Sequence, residues 1–402
     1  MNIGLDARAI FSPRPRGTGR NLHDAYRVIP GLRPRWQFTL YHQRPADQCP
    51  LVTRPDRAVN GTLWPPNVRT RRLDVPGDRL GTWLHLALPL AARTDRIDLL
   101  HLPAPAVPRW CPVPIVVTIH DLIPLKDTGD APRRHQRQFR RHILRALRRA
   151  QHIITPSRAT RDELCAEFRL SPQRVSVIPW APDLEISGRL PDVNAQALNE
   201  LRRRYKLDRP WLLNFSGSSA RKNAKGLLAA LARLRPELRS RQLLVLTGCA
   251  SPSLRQELES LAARLGIAAD CRILDFVPHE DLPALLAGAA ALLMPSLAEG
   301  FGLPILDAFA AGVPVLTSRC SSMPEVAGEA AVYCDPQSPE SIALGIARVL
   351  DPPTADRLIK AGRTRVREFT WERTAAAMCT VYESCLAEPA ADWPRRRVEV
   401  GA

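Results

Sequence analysis

The sequence predicts an α/β protein of two domains, each built on a parallel sheet. A chain of 402 residues is too long for one ordinary core, and two domains of about 200 residues fit it well. Its hydrophobic content of 45% permits full-sized cores. The stretch from Ala291 to Thr317 reads as strand, glycine loop, helix and strand. That is one βαβ unit, and its two strands must pair in parallel.

In chain order, residues 2–7 (NIGLDA) form a first strand. A loop holding Gly17, Gly19 and Arg20 follows, and Leu22–Ile29 reads as a short helix. Strand, glycine loop and helix together suit an anion, because backbone N–H groups and the positive end of the helix dipole point the same way. An ordinary βα turn is the alternative. Leu22 replaces the third glycine of a dinucleotide fingerprint, which argues against a Rossmann cofactor. Residues 36–41, 97–102 and 114–119 are further strands, the last an unbroken β-branched run of the kind buried on both faces. It ends at His120-Asp121, and in open α/β sheets ligands bind beyond the carboxyl ends of strands. His120 there can donate to a sugar hydroxyl, or it can be a structural histidine bonded to a carbonyl. Arg133–Arg149 is an amphipathic helix with Phe139, Ile143, Leu144 and Leu147 at helical spacing and arginine on most of its remaining surface. It reads either as a solvated face or as a contact for an anionic membrane or lipid diphosphate. Strands at 153–157 and 175–179 complete the first half, and the polar run 183–194 reads as a linker.

In the second half, residues 211–217 form a strand ending in Gly217, followed by Arg221-Lys222-Asn223 and an apolar helix, Leu227–Leu234. Two cations at a helix start oppose the macrodipole unless an anion binds there. A solvated basic turn is the alternative. Residues 242–248 and 271–277 are strands. After the strand at Ala291–Met294 come Glu299, Gly300, Phe301, Gly302 and Leu303, with Pro304 at the first helical position and Gly312 at the helix end. Glu299 and Asp307 are a capping Glu and a solvated Asp, or a pair suited to hydroxyls beside a phosphate. Residues 341–350, 357–369 and 371–386 read as closing helices.

The net charge is +17 and is unevenly placed. Residues 1–182 hold 30 Lys+Arg against 14 Asp+Glu, and the remainder 27 against 26. A field of that sign attracts phosphate, in a nucleic acid or on an anionic membrane. No nucleic-acid-binding motif or aromatic platform accompanies it, so no nucleic-acid partner is expected. The nine cysteines show no C-x-x-C pair, which favours buried free thiols in a reducing cytoplasm over a metal or disulfide scaffold. The N-terminus lacks the pattern of a secretory signal, and the apolar runs near 80–92 and 282–295 fall short of the roughly 18 residues that span a bilayer.

The run E-G-F-G-L-P-x-L-D-A-x-A-x-G-x-P-V from Glu299, the opening I-G-L-D-A-R, the loop G-T-G-R, V-T-I-H-D-L-I-P-L and G-x-x-x-R-K-N together resemble the retaining glycosyltransferases of family 4. The resemblance covers most of the chain and is densest over residues 211–330. It implies the GT-B fold, two Rossmann-like domains facing across a central cleft. The boundaries expected are 1–185 for an acceptor-binding domain and 186–369 for a nucleotide-sugar domain. Residues 370–402 would be a helix crossing back to the first domain and a tail. It further implies that Glu299, Gly300, Phe301, Gly302 and Leu303 face sugar and phosphate, and that Asp307 takes the ribose. Arg221 and Lys222 would clamp the diphosphate, Gly17, Gly19 and Arg20 would close over it, and His120 would contact the donor sugar, with His120 and Glu299 as the catalytic pair.

The expected reaction moves a hexose, mannose-type favoured, with retention from a nucleotide diphosphate sugar to an acceptor hydroxyl. A lipid-linked or polysaccharide intermediate of cell-surface glycan synthesis is the expected acceptor. No D-x-D-like ligand pair is present, so no cofactor and no metal are expected. The expected location is cytoplasmic, peripheral on the inner face of the cell membrane and held to its anionic surface by the basic first half. A GT-B nucleotide-sugar epimerase and a non-catalytic membrane- or nucleic-acid-binding protein are the alternatives. A glycosidase is disfavoured, because its two carboxylates must flank one bond, whereas Glu299 and Asp307 share a single βα unit.

Overall fold

In the computed structural model the described residues are 1–13, 15, 17–53, 64–75, 80–126, 133–217, 219–249 and 251–387. Arg14 and Arg16 of the first glycine loop, Ser218 ahead of the R-K-N motif, and the tail from 388 lie outside them. The chain divides into two compact units.

The first unit holds residues 1–126, 133–180 and the C-terminal helix. Its seven strands are β1 (Asn2–Asp6), β2 (Gln37–His42), β3 (Val68–Arg72), β4 (Leu99–Leu102), β5 (Ile115–Thr118), β6 (His152–Thr155) and β7 (Val175–Val177). They pair in parallel in the order β3-β2-β1-β4-β5-β6-β7. Every residue of β4 and β5 is buried, as expected for a parallel sheet covered on both faces. The edge strand β3 reads VRTRR. It has no apolar alternation, so its residues alone do not mark it as a strand. Its arginines suit an edge that must not recruit another strand.

The C-terminal helix Trp371–Ala387 is fastened to this unit by buried polar contacts. The Tyr382 hydroxyl lies 2.9 Å from His101 Nδ1 and 3.0 Å from the Tyr26 hydroxyl. His101 Nε2 meets Thr118 Oγ1 at 2.9 Å. Burial pushes the His101 imidazole down to about 3, so the ring is neutral and uses one nitrogen to donate and the other to accept.

The second unit holds residues 181–369. Its strands are β8 (Trp211–Phe215), β9 (Leu243–Thr247), β10 (Cys271–Ile273), β11 (Ala289–Met294), β12 (Val315–Ser318) and β13 (Ala331–Cys334). The order is β10-β9-β8-β11-β12-β13, all parallel. Strand order reverses between β8 and β11, and the corresponding reversal in the first unit lies between β1 and β4. In doubly wound sheets ligands sit at such switch points, beyond the carboxyl ends of the strands.

The run 183–194 is not an open linker. Asp183 caps a helix, Leu184–Arg189, by accepting from the N–H groups of Glu185 and Ile186. The first long helix also starts earlier than its apolar pattern indicates, at Gly17 rather than Leu22. Among the described residues no helix is long and apolar enough to cross a membrane.

Candidate functional site

Two loops meet at the switch point of the second unit. One leaves β8 and turns through Ala220–Lys222 into the helix Ala224–Arg233. Asn223 joins them in the left-handed region at φ 61°. Its side-chain amide donates to the carbonyls of Pro295 and Pro336, at 3.0 and 2.7 Å. The Asn of R-K-N therefore locks this loop to the neighbouring one. The neighbouring loop leaves β11, and Gly302 at φ 112° opens the helix Leu303–Ala310. That backbone favours glycine. Leu303 is the first helical residue and Pro304 the second, one position later than the sequence suggests.

The three charged groups of these loops converge. Glu299 Oε2 accepts from Arg221 Nη1 at 2.6 Å, and Glu299 Oε1 lies 2.6 Å from Lys222 Nζ. The Lys222 contact is a close ion pair. The Leu297 N–H donates to the Arg221 carbonyl at 2.8 Å, so backbone and side chains close together. The Glu299 side chain is 7% exposed. Burial alone would push its carboxyl up, but Lys222 and Arg221 overrule it and hold it below the usual carboxylate range. Glu299 is therefore ionised at neutral pH and has no proton to lend as a general acid.

Two serines that sequence reading did not single out hold the Glu299 loop in place. Ser321 Oγ accepts from the Glu299 N–H at 2.9 Å. The fully buried Ser322 Oγ lies 2.9 Å from the Glu299 carbonyl and 2.8 Å from that of Phe301. Their only sequence signal is two small hydroxyl residues after a buried strand. Ser321 at φ 48° shows how tight the turn is.

Asp307 is buried rather than solvated, and its Oδ1 accepts from the Asp183 N–H at 3.0 Å. In this structure it anchors the start of the unit. His279 Nε2 lies 3.0 Å from Glu185 and 3.3 Å from Asp183. These three are the one group among the described residues close enough to share a metal ion. Asp183 already serves there as a helix cap.

The remaining expected residues lie in the first unit. His120 Nε2 donates to the Pro103 carbonyl at 3.1 Å, and its ring stacks on Trp180 with centroids 5.9 Å apart. Burial pushes the imidazole down to about 4. His120 is thus neutral, with Nε2 on a backbone carbonyl and Nδ1 left as an acceptor. In the free protein the Pro103 carbonyl holds the Nε2 hydrogen, the contact that the structural-histidine alternative describes. Gly17, Gly19 and Arg20 sit in the first turn of the helix Gly17–Leu32 rather than in a loop. Gly19 is required there for space, because a Cβ would fall 2.2 Å from the Ala9 carbonyl oxygen. Asp6 and Arg8 of the I-G-L-D-A-R opening form a bidentate pair at 2.8 and 2.6 Å.

Residues 25–186 match the family described as Glycosyltransferase Family 4, and residues 199–365 the one described as Glycosyl transferases group 1. The chain is 31% identical over 271 residues to O-antigen chain mannosyltransferase B of Escherichia coli, covering 67% of this chain and 70% of that protein. It is 32% identical over 252 residues to the MMP alpha-(1->4)-mannosyltransferase of Mycolicibacterium hassiacum, covering 61% of this chain and 57% of that protein. Anabaena HepE, solved in complex with UDP-glucose, superposes with a TM-score of 0.70 at 18% identity, over 96% of this chain and 100% of that one. Two Rossmann-like sheets and these matches place the chain, a glycosyltransferase of the GT-B fold, in glycosyltransferase family 4, group 1.

Proposed function

We propose that this glycosyltransferase moves a mannose-type hexose, with retention, from a nucleotide diphosphate sugar to an acceptor hydroxyl of a glycan or lipid-linked intermediate in cell-surface glycan synthesis. The observation that carries this reading is the convergence of Arg221 and Lys222 on Glu299 at the carboxyl end of the switch-point strands. Two cations beside the start of the helix Leu303–Ala310 are suited to the charge that develops on a departing diphosphate. The leaving group then needs neither a proton nor a metal ion. Ionised Glu299 is placed to accept from sugar hydroxyls. The mannosyl preference is supported by the names of the two curated relatives, and a nucleotide-sugar donor by the UDP-glucose in HepE.

We assign the acceptor to the first unit. Arg133, Arg134, Arg137, Arg140, Arg141 and Arg148 are exposed on the helix Arg133–Arg149, while Ile143, Ala146 and Leu147 are buried. That face suits an anionic membrane surface. In the test, Lys222→Ala is assayed with GDP-, UDP- and ADP-sugars in chelator. Transfer should fall at least 100-fold in a protein that stays folded, with a thermal midpoint lowered by the loss of one partner of a buried ion pair. Undiminished transfer, or donor turnover that needs no acceptor, refutes the assignment.

A further inference from the structure

Three helical elements of the second unit meet on one residue, Asp183. Its Oδ1 caps the helix Leu184–Arg189 by accepting from the Glu185 and Ile186 N–H groups. Its Oδ2 lies 3.3 Å from Nε2 of His279, which opens the turn His279–Asp281 ahead of the helix Leu282–Ala287. Its N–H donates at 3.0 Å to Oδ1 of Asp307, on the helix Leu303–Ala310. The Ser187 hydroxyl donates to its carbonyl at 2.9 Å. His279 Nε2 also lies 3.0 Å from Glu185 Oε2. Carboxylates only accept, so this nitrogen carries its hydrogen whatever the charge on the ring. A metal ion shared by the three side chains would have to displace that hydrogen. Both His279 and Asp307 are 8% exposed.

A carboxylate this buried must be met by hydrogen-bond donors. The Asp183 N–H meets Oδ1 of Asp307, which sets the plane of the carboxylate and the directions from which it accepts. Asp307 stands four residues after Leu303, about 6 Å along the helix axis from the turn that follows Glu299. A nucleotide diphosphate sugar carries hydroxyls on both sides of its diphosphate, one set on the sugar and one on the ribose. With Arg221 and Lys222 at the phosphates, Glu299 and Asp307 are spaced for one set each. The aspartate side chain is short, so a small rotation of its carboxylate loses a hydroxyl. The Asp183 peptide prevents that rotation while it is itself fixed. Its own helix holds one side of Asp183, and His279 holds the other.

We infer that His279 is a positioning residue of the donor site, acting through Asp183 on the Asp307 carboxylate, and that its effect falls on the nucleoside hydroxyls rather than on the diphosphate. This rests on the proposed function for the donor itself. The experiment titrates the full chain with GDP and UDP and with their 2′,3′-dideoxy forms. The parent should bind its preferred ribonucleotide about 10-fold or more tightly than the dideoxy form, the usual strength of one hydrogen bond to a charged group. His279→Asn, too short to reach both carboxylates, should lose most of that preference and bind the dideoxy form as the parent does. His279→Gln, whose amide nitrogen reaches the place of Nε2, should keep it. Asp307→Asn should lose the same preference, and the double variant with His279→Asn should lose no more, since both act on one contact. A merely structural histidine would lower the thermal midpoint without touching the preference. A preference that survives His279→Asn, or equal weakening of both nucleotide forms, overturns the inference. So does Zn²⁺ or Mn²⁺ that stabilises the parent and not His279→Gln, because the group is then a metal site. Equal binding of the ribo and dideoxy forms by the parent overturns it too and leaves the donor reading intact. A parent that binds neither form overturns the donor reading, and the role of His279 falls with it.

Discussion

Replacing Glu299 with Gln should make the protein hold nucleoside diphosphates more tightly while destroying transfer. In the free chain one buried carboxylate sits 2.6 Å from Arg221 and 2.6 Å from Lys222. A phosphate oxygen on the far side of either cation adds about 2.8 Å, so it comes within roughly 5 Å of Glu299. At an effective dielectric of about 20 this repulsion is about 3 kcal/mol per unit charge. Counter-ions and water reduce it, leaving about 1–3 kcal/mol, or about 5- to 150-fold in Kd. A second effect has the same sign. Glutamine leaves two cations without their counter-ion in the free protein, which costs stability that a bound diphosphate restores. Calorimetric titration with GDP and UDP measures the change. The thermal midpoint of the free variant should fall, and nucleotide should raise it by more than in the parent. Unchanged or weaker nucleotide binding by Glu299→Gln would mean that Arg221 and Lys222 do not address the diphosphate, and the donor site would have to be sought elsewhere.

Ser322→Ala should cost about 1–3 kcal/mol through two carbonyls that lose a buried donor. It should raise the donor KM as the Glu299 loop loosens, and a KM equal to the parent's refutes a positioning role. His101 should resist titration. Its folded value is lowered to about 3, below the unfolded value, so its contribution to stability is complete above about pH 6.5 and is lost as pH falls from there toward 3. At pH 5 the loss is about 2 kcal/mol. An imidazole NMR signal from His101 that titrates above pH 5 would refute its buried, neutral state.

Much of this protein is legible in the order of its residues, because local chemistry decides local structure. Buried strands such as β5 announce themselves as β-branched runs. The helix Arg133–Arg149 has the bounds its periodicity indicates, and Glu299 through Leu303 mark a glycine turn before a helix. The polar edge strand β3 leaves no such trace, because an edge is defined by its neighbours and not by its own pattern. Nor does a one-dimensional pattern place Asp307 against the Asp183 N–H, His120 on the Pro103 carbonyl, or Ser322 beneath the Glu299 loop. What the sequence alone determined is the α/β class, the strand-loop-helix units and the types of residue at their turns. Only the tertiary structure decided that Arg221 and Lys222, more than seventy positions from Glu299, share its carboxylate. The reason is the pairing of β8 with β11, a long-range hydrogen-bonded register that brings two distant turns side by side.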